Sequence, residues 1–144
     1  LYMENYDATS TNRSKRSVRI FSDLNLNFTR NPATKDVAKL YDIEAVKRSV
    51  RNLINTNEGE RPFQPTLGSG IRALLFENMT PIIETLLKDR IAETINVYEP
   101  RALLTSILVQ GDIDRNEYLC TISFRVVNTT ADPVTITEFL QRLR

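Results

Sequence analysis

The side chains that could do chemistry in this chain are carboxylates. Its 144 residues include 18 Asp and Glu, 19 Lys and Arg, one cysteine and no histidine. Without histidine, neither a Ser-His-Asp nor a Cys-His nucleophile can be assembled, and the common zinc sites lose their nitrogen ligand. The lone Cys120 allows no internal disulfide and no cysteine-based metal cluster. An enzyme built from this chain would have to work through carboxylates, Lys, Tyr, Ser or Thr. Glycoside hydrolysis needs only acids: two carboxylates about 5 to 10 Å apart, one of them with a raised pKa. Glu77 and Glu99 are the candidates, because both fall at the ends of expected elements. No spacing in the sequence sets them face to face. A pairing of Glu99 with Arg101, or with another chain's charges, is the more economical use of that carboxylate.

Glu99 stands at the end of the longest expected element, a helix from Pro81 to about Tyr98. Thr80 can cap it by accepting an orphan N–H of the first turn. Pro81 suits the first helical position, where no N–H is needed. Ile83, Leu87, Ile91, Ile95 and Tyr98 recur at steps of three and four and form one apolar stripe. Pro100 disfavours the α conformation at Glu99, so the helix stops there. The stop sets a carboxylate and a guanidinium on either side of a rigid bend.

Other elements follow from pattern. Leu24, Leu26 and Phe28 alternate with Asn25 and Asn27, which predicts a short half-buried strand, with loop from Asn31-Pro32 to Lys39. Ile43, Val46, Val50, Leu53 and Ile54 predict a first helix from about Ile43 to Asn55, with Asp42 as N-cap. Gly59 to Gly70 holds three glycines and two prolines and reads as a shaped loop. That loop could cradle phosphate before a helix starting near Ser69. It lacks the Lys-Ser/Thr pair of a P-loop, and the favoured reading is a rigid connector pinned to the core by Phe63 and Leu67. Ile71 to Phe76 predicts a short second helix.

After Arg101 the period changes to two. Leu103 to Val109 is apolar on both faces, as in a strand covered on both sides. A turn over Gly111–Asn116 leads to a strand whose Tyr118, Cys120, Ile122, Phe124 and Val126 share one face. On that apolar face Cys120 reads as a buried small hydrophobe. Val134 to Thr137 begins a last strand, preferred over a helix for the residues that follow. The expected fold is α+β, a small antiparallel sheet packed on about three helices in the order β-α-α-α-β-β-β, with the last strand a possible edge.

A composition of 41% hydrophobic and 26% charged residues is ordinary for one globular domain. We expect that domain over 18–144, preceded by a polar arm over 1–17. No apolar run approaches the ~18 residues of a membrane span, and the first residues lack a signal-peptide order. Net charge is +1, so no global field draws in nucleic acid or membrane. Arg13, Lys15, Arg16 and Arg19 form a basic cluster that reads as a solvated tail. Contact with an acidic neighbour or nucleic acid is the sharper alternative, and no aromatic stacking pattern supports nucleic acid.

Three ordered stretches resemble one family: Arg61-Pro62-Phe63-Gln64-Pro65-Thr66-Leu67-Gly68, Leu75-Phe76-Glu77-Asn78-Met79-Thr80-Pro81, and Tyr98-Glu99-Pro100-Arg101. Together they look like the baseplate wedge and sheath-initiator family of contractile phage tails, which has a relative in the type VI secretion baseplate. The resemblance spans about Leu24 to Ile136. It implies a structural protein with no enzymatic activity, cofactor or small-molecule substrate, located in the virion tail baseplate and assembled in the host cytoplasm. It implies binding to the wedge core-bundle proteins, with tail-tube neighbours. It also implies that the sheet accepts strands from the first sheath ring and so initiates sheath polymerisation. By the same resemblance Glu99, Pro100 and Arg101 would hold the wedge contact, and Arg61, Pro62 and Phe63 would shape the adjacent surface. Glu99→Ala or Arg101→Ala would then leave the domain folded and stop sheath assembly. The alternative, a peptidoglycan-cleaving lysozyme-type glycosidase using Glu77 and Glu99, rests on an old family label and the presence of acids.

Overall fold

A computed structural model describes residues 21–129 and 132–142. The expected arm over 1–17 and its basic cluster lie outside them. The elements are β1 (Ser22–Leu24), β2 (Lys39–Tyr41), α1 (Asp42–Asn55), α2 (Ile71–Leu74), α3 (Pro81–Tyr98), β3 (Ala102–Asp112), β4 (Glu117–Val126) and β5 (Val134–Gln141). The α+β order is as expected, with one addition: β2 pairs antiparallel with β1 in a small hairpin. β3, β4 and β5 form a second antiparallel sheet with β4 in the centre.

α3 begins and ends where the sequence places it. Ile83 N–H donates to the Thr80 hydroxyl at 3.4 Å, and Pro81 occupies the first turn. Leu87, Ile91 and Ile95 are fully buried. α3 packs along β3, and α1 lies against α3, β4 and β5. The core between them gathers Val46, Val50 and Ile54 from α1 with Ile122 and Phe124 from β4. All five residues of the expected inward face of β4 are buried.

Three local expectations are corrected. Leu24, Leu26 and Phe28 do not make a half-buried strand: they are 61%, 51% and 75% exposed, and β1 ends at Leu24. The Asn25 side chain accepts from Asn27 N–H at 3.0 Å. Such local side-chain bonding competes with a ladder. The helix cap falls on Tyr41, one residue before Asp42. Asp42 instead opens the helix at φ 46°, a region Asp tolerates better than most residues, and its carboxylate accepts from Phe21 N–H at 3.0 Å. β3 is not covered on both faces. A register shift between Leu104 and Ser106 puts Ala102 with Ile107 and Val109 on the buried side, leaving Leu103 and Leu108 exposed. One extra residue in a strand reverses which parity faces the core.

Cys120 sits fully buried on β4. Burial, helped by the charge of Glu138, pushes its thiol pKa up to about 12. Reactivity follows the thiolate and access to it, so this thiol is inert in the native chain. A thiol-reactive dye at mildly alkaline pH should therefore label Cys120 only as fast as the fold opens, and stoichiometrically in denaturant. Rapid labelling in native buffer would contradict the packing.

Candidate partner-binding site

At Glu99 the backbone leaves the helix with φ −128° and ψ 70°, its N–H still bonded to the Ile95 carbonyl at 2.9 Å. Pro100 prevents a further turn. The bend swings the Glu99 side chain inward, where the residue is only 3% exposed, and leaves Pro100 on the surface. Arg101 then reaches back: its Nε donates to Glu99 Oε1 at 2.6 Å and its Nη2 to Glu99 Oε2 at 2.9 Å. The same guanidinium holds Asp23 of β1 through Nη1 and Nη2 at 3.3 and 3.2 Å. It also lies 5.6 Å from the centre of the Phe21 ring. Ser49 of α1 donates its hydroxyl to Glu99 Oε2. The Glu-Pro-Arg triplet thus ties α1, α3, β1 and the start of β3 into one node.

The electrostatics follow from that geometry. Burial alone would raise the Glu99 pKa. Hydrogen bonds from Arg101 and Ser49, with the Arg101 charge, outweigh it and hold the carboxyl below its ordinary value. The Glu99 hydrogen bonds and charge raise the Arg101 pKa in turn. Such a pair stays ionised on both sides.

The Gly59–Gly70 loop is closed at its neck. Gly59 N–H donates to Pro65 O at 2.7 Å and Ser69 N–H to Thr56 O at 3.0 Å. The buried Ser69 hydroxyl donates to Ile54 O at 2.8 Å. From α3, Tyr98 donates its hydroxyl to Thr66 O at 2.6 Å. With Ile71 N–H bonded to the Ser69 hydroxyl as well, these donors turn inward rather than toward a phosphate. The connector reading holds; of the two expected anchors, Leu67 is half-buried and Phe63 is not. Phe63 is 98% exposed and pins nothing; Ser69 and Tyr98 hold the loop instead.

The structure therefore brings Glu99 and Arg101 together and sets Arg61 across a cleft of about 340 Å³ that Asp23, Ser49 and Tyr98 also line. Pro62 and Phe63 are on the exposed loop and outside that cleft. Sequence reasoning missed Ser49, Asp23 and Phe21 as partners of the triplet. Ser49 had a signal: three after Val46 and four before Leu53, it lies on the buried stripe of α1, where a hydroxyl needs a partner. Nothing local marked Asp23.

Glu77 is not part of this node. It lies exposed between α2 and α3. The 18-residue α3 separates it from Glu99, a length of about 27 Å at 1.5 Å per residue. That exceeds the separation a two-carboxylate glycosidase uses. Among the described residues, no group of three or more Cys, Asp or Glu is placed to hold a metal ion, and no helix is long and apolar enough to cross a membrane.

Comparison with known proteins gives these features a context. Residues 41–131 match the family described as baseplate wedge protein gp25. The chain is 32% identical over 98 residues to the baseplate wedge protein gp25 of Enterobacteria phage T4, covering 68% of this chain and 74% of that protein. A chain in the cryo-EM structure of the anti-feeding prophage baseplate superposes with a TM-score of 0.68 at 30% identity, over 76% of this chain and 88% of that one. A Geobacter sulfurreducens protein, described as a candidate tail lysozyme, superposes with a TM-score of 0.63 at 23% identity, over 69% of this chain and 89% of that one. At that identity the likeness speaks of fold alone. The class is that of structural baseplate components of contractile, phage-like tails. Within it, the chain belongs to the baseplate wedge protein gp25 family, and its place is the tail baseplate.

Proposed function

We propose that this chain is the baseplate subunit on which the first ring of tail sheath forms, by adding a sheath strand to the free edge of β5. The observation that carries the reading is topological: β5 pairs with β4 on one side and with no described strand on the other. Its 8 residues offer a row of backbone donors and acceptors, which strand addition uses without special side chains. On the wedge side, Pro62, Phe63 and Pro100 supply the contact to the core bundle. Glu99 and Arg101 fix the elements behind it, and Arg61 lines the cleft between. A rigid loop presenting an exposed aromatic is the kind of anchor that dominates protein interfaces. The glycosidase reading has no observation in its favour, since Glu99 is held ionised and Glu77 lies remote from it.

Two measurements test the two faces separately. Amide exchange along Val134–Gln141 should slow when baseplates carry their first sheath ring; unchanged exchange would remove strand addition at β5. Phe63→Asp should leave the unfolding midpoint of the chain unchanged, because the side chain is exposed, while reducing incorporation into wedges by about tenfold or more. Normal incorporation would remove the loop from the wedge contact.

A further inference from the structure

Beside the free edge of β5 runs a second cleft, of about 290 Å³, between that strand, α1 and the turn after β1. Its lining includes Thr135 and Thr137 of β5, Lys47, Arg48 and Arg51 of α1, and Asn27 of the turn. We propose that this cleft selects the incoming strand: it takes an extended segment whose side chain on the α1 side carries a carboxylate. The inference rests on strand addition at β5 and adds the chemistry of the segment.

The charges facing the cleft decide the sign. Lys47 is held by Glu44 at 2.9 Å. Arg51 is held by Glu138. Arg48 has no acidic partner among the described residues; its Nη2 donates to the neutral Asn27 carbonyl oxygen. Its Nε is buried and has no hydrogen-bond partner among them. The cleft is therefore lined by one guanidinium whose charge no carboxylate among the described residues balances. A carboxylate is the acceptor that answers a guanidinium's charge and fork geometry. A strand paired to β5 would lie about 4.8 Å from it, with alternate side chains on one face. Acidic residues at every second position thus suffice to place one beside Arg48. A basic segment meets an extra like charge and is rejected.

The test uses the 144-residue chain and two synthetic eight-residue peptides, one alternating Thr and Glu, the other Thr and Lys. Binding is followed by fluorescence anisotropy and site by amide exchange over Val134–Gln141. The Thr-Glu peptide should bind at least about tenfold more tightly than the Thr-Lys peptide, as one charge-assisted bond warrants. It should also slow exchange in β5. Arg48→Gln should reduce that preference severalfold at an unchanged unfolding midpoint, and Arg48→Lys should retain part of it. If both peptides protect β5 equally, strand addition stands and the acidic selectivity falls. If the Thr-Glu peptide binds without protecting β5, or neither peptide protects it, both readings fall. Should Arg48→Gln unfold, the comparison of the two peptides on the wild-type chain decides alone.

Discussion

Glu99→Ala should lower the unfolding free energy of the isolated chain by about 2 to 4 kcal/mol, a drop of roughly 5 to 15 °C in Tm for a domain of this size. The family resemblance implies a variant that folds normally and fails only in assembly. The geometry argues otherwise, because the Glu99 side chain is 4% exposed and meets Arg101 and Ser49 inside the chain. Truncation leaves Arg101 one carboxylate short and the Ser49 hydroxyl without its acceptor. Asp23 remains on Arg101 at 3.2 Å, so the loss stays at the lower end of what breaking a buried pair costs. A variant within about 0.5 kcal/mol of wild type by urea unfolding would show that the node contributes little to stability.

The same node sets a pH dependence. The folded pKa of Glu99 lies below its ordinary 4.5, so the unfolded chain binds the proton first as acid is added. Its stabilisation is full above that value and is lost as pH falls through the lowered folded pKa. The stability gap between wild type and Glu99→Gln should therefore be constant near neutrality and shrink on the acid side of 4.5. A gap independent of pH across that window would rule out the ionised carboxylate as the stabilising species.

Gly68→Ala should be as damaging. A Cβ at Gly68 would sit 2.5 Å from Asn57 C and Glu58 N and 2.8 Å from Asn57 O. These are backbone atoms on the other side of the loop neck, which cannot swing away as a side chain would. We expect a loss of about 2 to 3 kcal/mol, the upper part of the overpacking range. The neck bonds Ser69 N to Thr56 O and Gly59 N to Pro65 O should also loosen, which moves Arg61, Pro62 and Phe63. Amide exchange at Gly59 and Ser69 should rise in the variant more than exchange in β4. Equal changes at both places would mean global destabilisation without repositioning of the loop. By contrast, Gly59 has open space around its missing Cβ but a φ of 81°, so its requirement is conformational rather than steric.

Local sequence patterns set some elements of this fold and not others. On α3 every cue is local: a threonine that can cap, a proline at the first turn, a stripe of period 3.6 and a proline after the end. Local cues survive folding, and the element has the bounds they set. On β3 the alternating pattern carries no sign of a bulge, because a bulge is a property of pairing and exists only when β4 lies alongside. Leu24, Leu26 and Phe28 alternate as a strand would, yet the Asn25 turn diverts the chain before any partner can pair with Leu26. Phe63 looks like a core residue by type, and its 98% exposure is decided by a loop closed from below by Ser69 and Tyr98.

The sequence by itself determined the class of chemistry and the frame. The absence of histidine removed the nucleophilic triads, the helix cues set α3, the inward face of β4 was legible residue by residue, and three ordered motifs pointed to the family. All of these depend on residue type and on neighbours a few positions away. Only the tertiary structure decided what Glu99 and Arg101 do for the fold, because their partners Ser49 and Asp23 lie 50 and 78 residues distant along the chain. It alone also left Arg48 without an acidic partner among the described residues, beside a strand edge that no described strand covers. Charge balance in a cleft depends on which elements meet there, and no local pattern encodes that meeting.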